Sequence, residues 1–296
     1  MATPRRLRVI GPREIYRLFL PPEGKHFESR EFSLVTPGEG NSEFSKPTDD
    51  QLLTIVVDPE SYEASDLAQI AGPVWYWFLE PIATITSERL SEAPRLALVA
   101  EESIETRREF LVTLPLNDLS VIVVSDRWTF DYCSSVSPRV LLSPPPVNDE
   151  LAHTPITSNA TIRVWPPAKQ SPYLQKFLEP LPRDAVMAGI ESLAEGQVWT
   201  VPSHWVVPQS GLHHAFPYEA AMALVAGQTL ITDSLVQTWG LEPGLDYIEY
   251  STPDELHRIV EHLMRYPEST RLMAGRGKTK SSMFIASNVY ARLLSS

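Results

Sequence analysis

The chain has 296 residues, 43% of them hydrophobic, and a net charge of -12 at pH 7. That apolar content suits a packed core and excludes an intrinsically disordered chain. The acidic balance argues against a nucleic-acid backbone as the main partner, and against duplex DNA in particular, because Arg276, Lys278 and Lys280 are the nearest approach to a basic cluster.

In chain order, short apolar runs come first. Leu7 to Ile10 reads as a strand that stops at Gly11-Pro12, and Leu52 to Val57 as one that stops at Asp58-Pro59. Val74 to Leu79 is rich in aromatics, with Trp75, Tyr76 and Trp77 read as a packed strand in preference to an interface. Leu96 to Ala100 leads to Glu101-Glu102, Val121 to Val124 to Ser125-Asp126, and Val140 to Leu142 to Ser143-Pro144. Runs of four to six apolar residues without alternation suit parallel strands covered on both faces. Ligands of open α/β sheets gather at the carboxyl ends of such strands. The stretch Pro22 to Lys46 has neither period and reads as one long loop.

From Pro138 to Pro182 the chain carries ten of its 27 prolines, which opposes long helices and marks the passage to a second domain. Thr161 to Trp165, Gln197 to Thr200 and Trp205 to Val207 read as short strands. Pro217 to Ala226 is a helix, with proline at its start and Gly227 at its C-terminus, followed by a buried strand from Gln228 to Thr232. Thr252-Pro253-Asp254-Glu255 forms a capping box. The helix it opens places Leu256, Ile259, Val260, Leu263 and Met264 on one face. A last helix is expected from about Ser281 to Leu294.

With one cysteine, Cys133, the chain cannot form an internal disulfide. No run approaches the roughly 18–20 apolar residues that span a bilayer. The start lacks a secretory signal, so a cytoplasmic location is expected.

The chemistry concentrates between Gln209 and Ala221. Ser210, Gly211, His213 and His214 form a polar loop that feeds into Phe216, Pro217, Tyr218 and Glu219 at a helix start. The open N–H groups and dipole of a helix N-terminus suit a phosphate, and a first-turn carboxylate can accept hydrogen bonds from vicinal ribose hydroxyls. First-turn glutamate also suits the helix dipole alone, and the histidines could be solvated loop residues. His213 and His214 are adjacent and lack a carboxylate partner at metal-ligand spacing, so no metal site is expected.

Residues 216 to 233, FPYEAAMALVAGQTLITD, resemble the helix–glycine–strand unit of GT-B glycosyltransferases. The stretch from Gly240 to Lys278 resembles the unit that follows it in those families, and residues 205 to 295 together resemble the spore-maturation type. The resemblance implies an α/β protein with two Rossmann-like domains facing a cleft. It divides the chain into an acceptor-side domain (1–150), a compact nucleotide-sugar domain (151–280) and a C-terminal helix (281–296) that returns to the first domain.

It further implies a metal-independent sugar transfer from a UDP- or GDP-linked donor to an acceptor such as a protein, glycan or small molecule. Glu219 takes the place of the ribose-binding glutamate, and Phe216, Tyr218, His213, His214, Gly211 and Ser210 surround it. Gly11 and Arg17 stand in the loop that approaches the donor. An inverting reaction needs a base, for which Glu101, Glu102 and Asp126 are the candidates. The second glutamate of many retaining members, eight positions before the first, is replaced here by Gly211. A catalytically silent homologue is therefore one alternative, and a nucleotide-sugar epimerase, some of which share the fold and a loop–helix phosphate site, is another.

Overall fold

The computed structural model describes residues 4–38, 42–46, 51–79, 82, 101–153, 162–164, 204–206, 216–233, 235 and 237–295, with backbone alone for 101–104, 162–164 and 204–206. These pack as two units. Unit 1 comprises Met1–Asn148 with Ala286–Ser296, and unit 2 comprises Asp149–Ile285.

Unit 1 is built on a parallel sheet of six strands: β1 (Arg6–Gly11), β2 (Ser29–Leu34), β3 (Leu52–Val57), β4 (Val74–Phe78), β5 (Ser120–Val124) and β6 (Val140–Leu142). Their order is β2-β1-β3-β4-β5-β6. All six residues of β3 and all five of β4 are buried, as expected of strands covered on both faces. Trp77 is fully buried, meets Phe19 edge-to-face at 5.3 Å and donates its Nε1–H to Ser125 Oγ at 3.4 Å. The aromatic run is therefore core.

Two elements depart from the sequence expectation. The stretch read as one loop contains β2, an edge strand with alternating exposure whose Ser33 donates to Glu43 at 2.7 Å. Nearby, Phe44 is fully buried against Tyr62, which ties residues 42–46 into the core. Glu101 and Glu102 lie in a helix, Glu101–Thr113, while the strand expected before them at Leu96 to Ala100 lies outside the described residues.

The helix Ala286–Ser295 packs on unit 1. Lys25 Nζ donates to Ser287 Oγ at 2.8 Å, the Ala286 N–H to the Val147 carbonyl at 2.7 Å, and Phe27 meets Tyr290 edge-to-face at 5.6 Å.

Unit 2 has four parallel strands: β7 (Ile162–Val164), β8 (His204–Val206), β9 (Thr229–Thr232) and β10 (Ile248–Glu249), in the order β10-β9-β8-β7. The helix Tyr218–Val225 joins β8 to β9, and Gly227 ends it in the left-handed region at φ +74°. The capping box forms: the Glu255 N–H donates to Thr252 Oγ1 at 3.2 Å, and Glu255 Oε2 accepts from the Ser251 N–H at 2.8 Å. The helix Pro253–Arg265 buries Leu256, Val260 and Leu263, while Met264 is exposed at the rim of that face.

A buried carboxylate ties the far side of unit 2 together. Asp246 is fully buried, and its oxygens receive Lys280 at 2.6 Å and Arg276 at 3.3 Å on the helix Arg271–Lys280. Burial disfavours the charged form. The donors from Lys280, the Glu242 N–H and Arg276 outweigh it and hold the Asp246 pKa below its ordinary value. Among the described residues no helix is long and apolar enough to cross a membrane.

Candidate functional site

In a parallel sheet a helix that follows a strand starts at the carboxyl edge and runs back. The start of Tyr218–Val225, after β8, therefore lies on the same edge as the end of β9 at Thr232 and Asp233. Ala220 and Ala221 both donate to the Pro217 carbonyl, at 3.1 and 3.2 Å, so the Tyr218 and Glu219 N–H groups precede the helix's own ladder. Glu219 is half-buried in this first turn.

The residues on either side hold the turn in place. Phe216 is buried and stacks on Phe284, with ring centroids 4.8 Å apart and planes inclined by 22°. Tyr218 and every residue from Ala220 to Val225 are buried. Phe216 and Tyr218, expected to line a ligand site, are thus core residues that fix the helix, and Glu219 is the side chain left at its edge. Ser210, Gly211, His213 and His214 lie outside the described residues.

On unit 1 the candidates separate. Arg17 is an exposed surface residue paired with Glu14 at 2.8 Å. Gly11 ends β1 under the ring of Tyr16. A Cβ there would stand 2.6 Å from Tyr16 Cδ2, so this approach requires glycine.

Asp126 caps the helix Arg127–Val136, its Oδ1 accepting the Thr129 N–H at 2.8 Å. Burial raises its pKa, against the lowering effect of the Thr129 and Trp128 donors. Glu101 and Glu102 are placed by backbone alone, within the helix Glu101–Thr113.

A cluster that the sequence did not reveal lies between β1 and β3. Strand order places β2 and β3 on opposite sides of β1, so this is the sheet's switch point, where open α/β sheets take ligands. Tyr16 donates its hydroxyl to Asp58 Oδ2 and accepts from Arg13 Nη2 at 2.7 Å, and the Arg13 guanidinium lies 5.0 Å from the Tyr16 ring centroid. Burial, then the charge of Asp58, push the Tyr16 pKa well above its ordinary value, with Arg13 opposing them. Asp58 has φ +49°, a conformation costly for a residue with a Cβ. Among the described residues no cluster of three or more His, Cys, Asp or Glu side chains could hold a metal.

The Asp126 geometry gives a first expectation. Asn caps as well as Asp but carries no charge. A carboxyl with a raised folded-state pKa contributes stability below its unfolded pKa and loses it as pH rises through the folded one. Asp126→Asn should therefore gain in melting temperature relative to the parent as pH is raised from acid to neutral. Melting curves across that range check it, and a difference independent of pH would refute it.

No protein-family profile and no curated protein sequence matches the chain. Solved structures match it in fold. TarM matches with a TM-score of 0.51 and 7% identity, over 83% of this chain and 55% of TarM. TarM from S. aureus in complex with fondaparinux, alpha-GlcNAc-glycerol and UDP matches with a TM-score of 0.50 and 7% identity, over the same shares. HepE from Anabaena, in complex with UDP and glucose, matches over 82% of this chain and 76% of that one, with 10% identity and a TM-score of 0.49. The fold is α/β of the GT-B kind.

Proposed function

We propose that the chain is a GT-B glycosyltransferase that moves a sugar from a nucleotide-sugar donor to an acceptor hydroxyl. The observation that carries this reading is the half-buried Glu219 in the first turn of a helix at the carboxyl edge of a parallel sheet. The helix start supplies N–H groups and a dipole for the diphosphate, and the carboxylate accepts from the ribose hydroxyls. The TarM complex with UDP supports a UDP-linked donor in preference to a GDP-linked one. The spore-maturation type is the narrower reading of residues 205–295.

In this reading the acceptor belongs to unit 1, at the switch point marked by Gly11, Tyr16 and Asp58. The diphosphate leaves as the acceptor oxygen bonds to the anomeric carbon, and the hydroxyl proton passes to a base. No metal is assigned a part in the transfer. Asp126 is engaged as a helix cap, which leaves Glu101 and Glu102 as the earlier candidates for the base. That loss of one candidate favours a binding protein of the same fold as the second reading.

The test is a thermal-shift screen against UDP, GDP, dTDP and their sugar conjugates. Ligand at about 100 times its dissociation constant should stabilise a single site by about 2.7 kcal/mol. Glu219→Ala should weaken the responding nucleotide by about 1.5–3 kcal/mol, the worth of a charged hydrogen bond, without unfolding the chain. Unchanged affinity in the folded variant would remove Glu219 from the site. Sugar transfer or donor hydrolysis separates the enzyme from the binding protein, and acceptor-free conversion of the sugar would indicate an epimerase.

A further inference from the structure

Unit 2 carries a concavity whose lining does not include Glu219. It is an open groove of about 420 Å³ between the helix Pro253–Arg265 and β10, the edge strand of the sheet. That volume falls within the range of small-molecule pockets. Its apolar lining comes from Ile248, Ile259 and Leu263, and its polar lining includes Arg258, His262 and Ser269.

The polar lining combines one acid with two basic side chains, Arg258 and His262. Glu255, the acid that lines the groove, already accepts the Ser251 N–H as part of the capping box. Arg258 and His262 stand four residues apart and so share one helix face. Arg258 is exposed, and its Nε donates to the Asp254 carbonyl at 3.3 Å, a bond that leaves its terminal nitrogens for other partners. The groove thus joins an apolar floor to a guanidinium, an imidazole and a hydroxyl, all of which can donate to an oxyanion.

We propose that this groove binds a small organic anion, a carboxylate or phosphate monoester carrying a short apolar body. The oxyanion meets Arg258, His262 and Ser269, and the apolar body covers Ile248 and Ile259.

The experiment titrates the full chain with hexanoate, hexyl phosphate and hexanol, following the amide resonances of residues 248–270. A saturable shift is expected with at least one anion, and binding of hexanol roughly tenfold or more weaker, since a charge-assisted hydrogen bond contributes about 1.5–3 kcal/mol. The stronger of the two anions identifies the oxyanion. Arg258→Gln should weaken that anion by a similar factor while leaving UDP affinity unchanged, because Arg258 is an exposed side chain outside the Glu219 turn. A folded Arg258→Gln variant with parental affinity would overturn the proposal. So would hexanol binding as well as the anions, or the absence of any saturable shift. A UDP response that fails in the parent chain leaves this titration readable, so the two sites are tested separately.

Discussion

Phe284→Ala is expected to destabilise unit 2 by about 3–5 kcal/mol, the cost of emptying a buried aromatic position. Phe284 is fully buried, and its ring stacks on Phe216 at a centroid distance of 4.8 Å. Such a pair adds about 0.5–1.5 kcal/mol beyond the area it buries. The consequence reaches the candidate site, because Phe216 immediately precedes Pro217 and the turn that carries Glu219. Two packed units need not melt in one transition, so a local readout isolates the effect on this helix. Hydrogen exchange at the amides of residues 220–225 reports the helix directly. Protection there should fall in Phe284→Ala and be largely kept in Phe284→Leu, a smaller change in core volume. UDP affinity should follow the same order if the stacked rings seat the helix start. Unchanged protection in Phe284→Ala would show that the helix is held by its other buried residues alone.

How much of this was legible in the sequence depends on where each contact closes. Strand β3 was readable to the residue, because the run Leu52-Leu53-Thr54-Ile55-Val56-Val57 is buried on both faces and needs no partner to be recognised. Strand β2 was not, since Ser-Arg-Glu-Phe-Ser-Leu at a sheet edge keeps a polar, half-exposed pattern and is made a strand by β1 beside it. The helix Glu101–Thr113 escaped for a related reason. Its neighbours Leu111 and Val112 differ sharply, one buried and one 80% exposed, and its charged residues show no wide apolar stripe.

The candidate site divides in the same way. Glu219 could be placed from sequence because Pro217 and the Ala- and Met-rich run behind it fix a helix start locally. Tyr16 and Asp58 are 42 positions apart and meet only because β3 lies next to β1, so nothing near either residue announces the pair. Arg17 drew attention by its charge in a loop, yet its neighbour Arg13 is the one that turns toward Tyr16.

Gly277→Ala should destabilise unit 2 although it places alanine, the best helix former, inside a helix. Propensity alone predicts a gain of about 0.8–1.0 kcal/mol. The added Cβ would stand 2.7 Å from the Asp246 carbonyl oxygen and 2.9 Å from Leu224 Cδ2. Leu224 can turn aside, but the carbonyl belongs to the backbone of a fully buried residue that Lys280 and Arg276 hold from the same helix. Relieving the clash must move the helix away from Asp246 and stretch those ion pairs. Overpacking of this kind costs about 1–3 kcal/mol, which exceeds the propensity gain over most of its range. Gly275 supplies the control. It lies two residues earlier in the same helix, and a Cβ there meets nothing within 4 Å. Gly275→Ala should therefore stabilise the helix by about 0.5–1 kcal/mol. Denaturant titration of the two variants should move their midpoints in opposite directions. A shift of both in the stabilising direction would mean that the Asp246 segment yields to the methyl group, and that the contact seen at Gly277 does not constrain the fold.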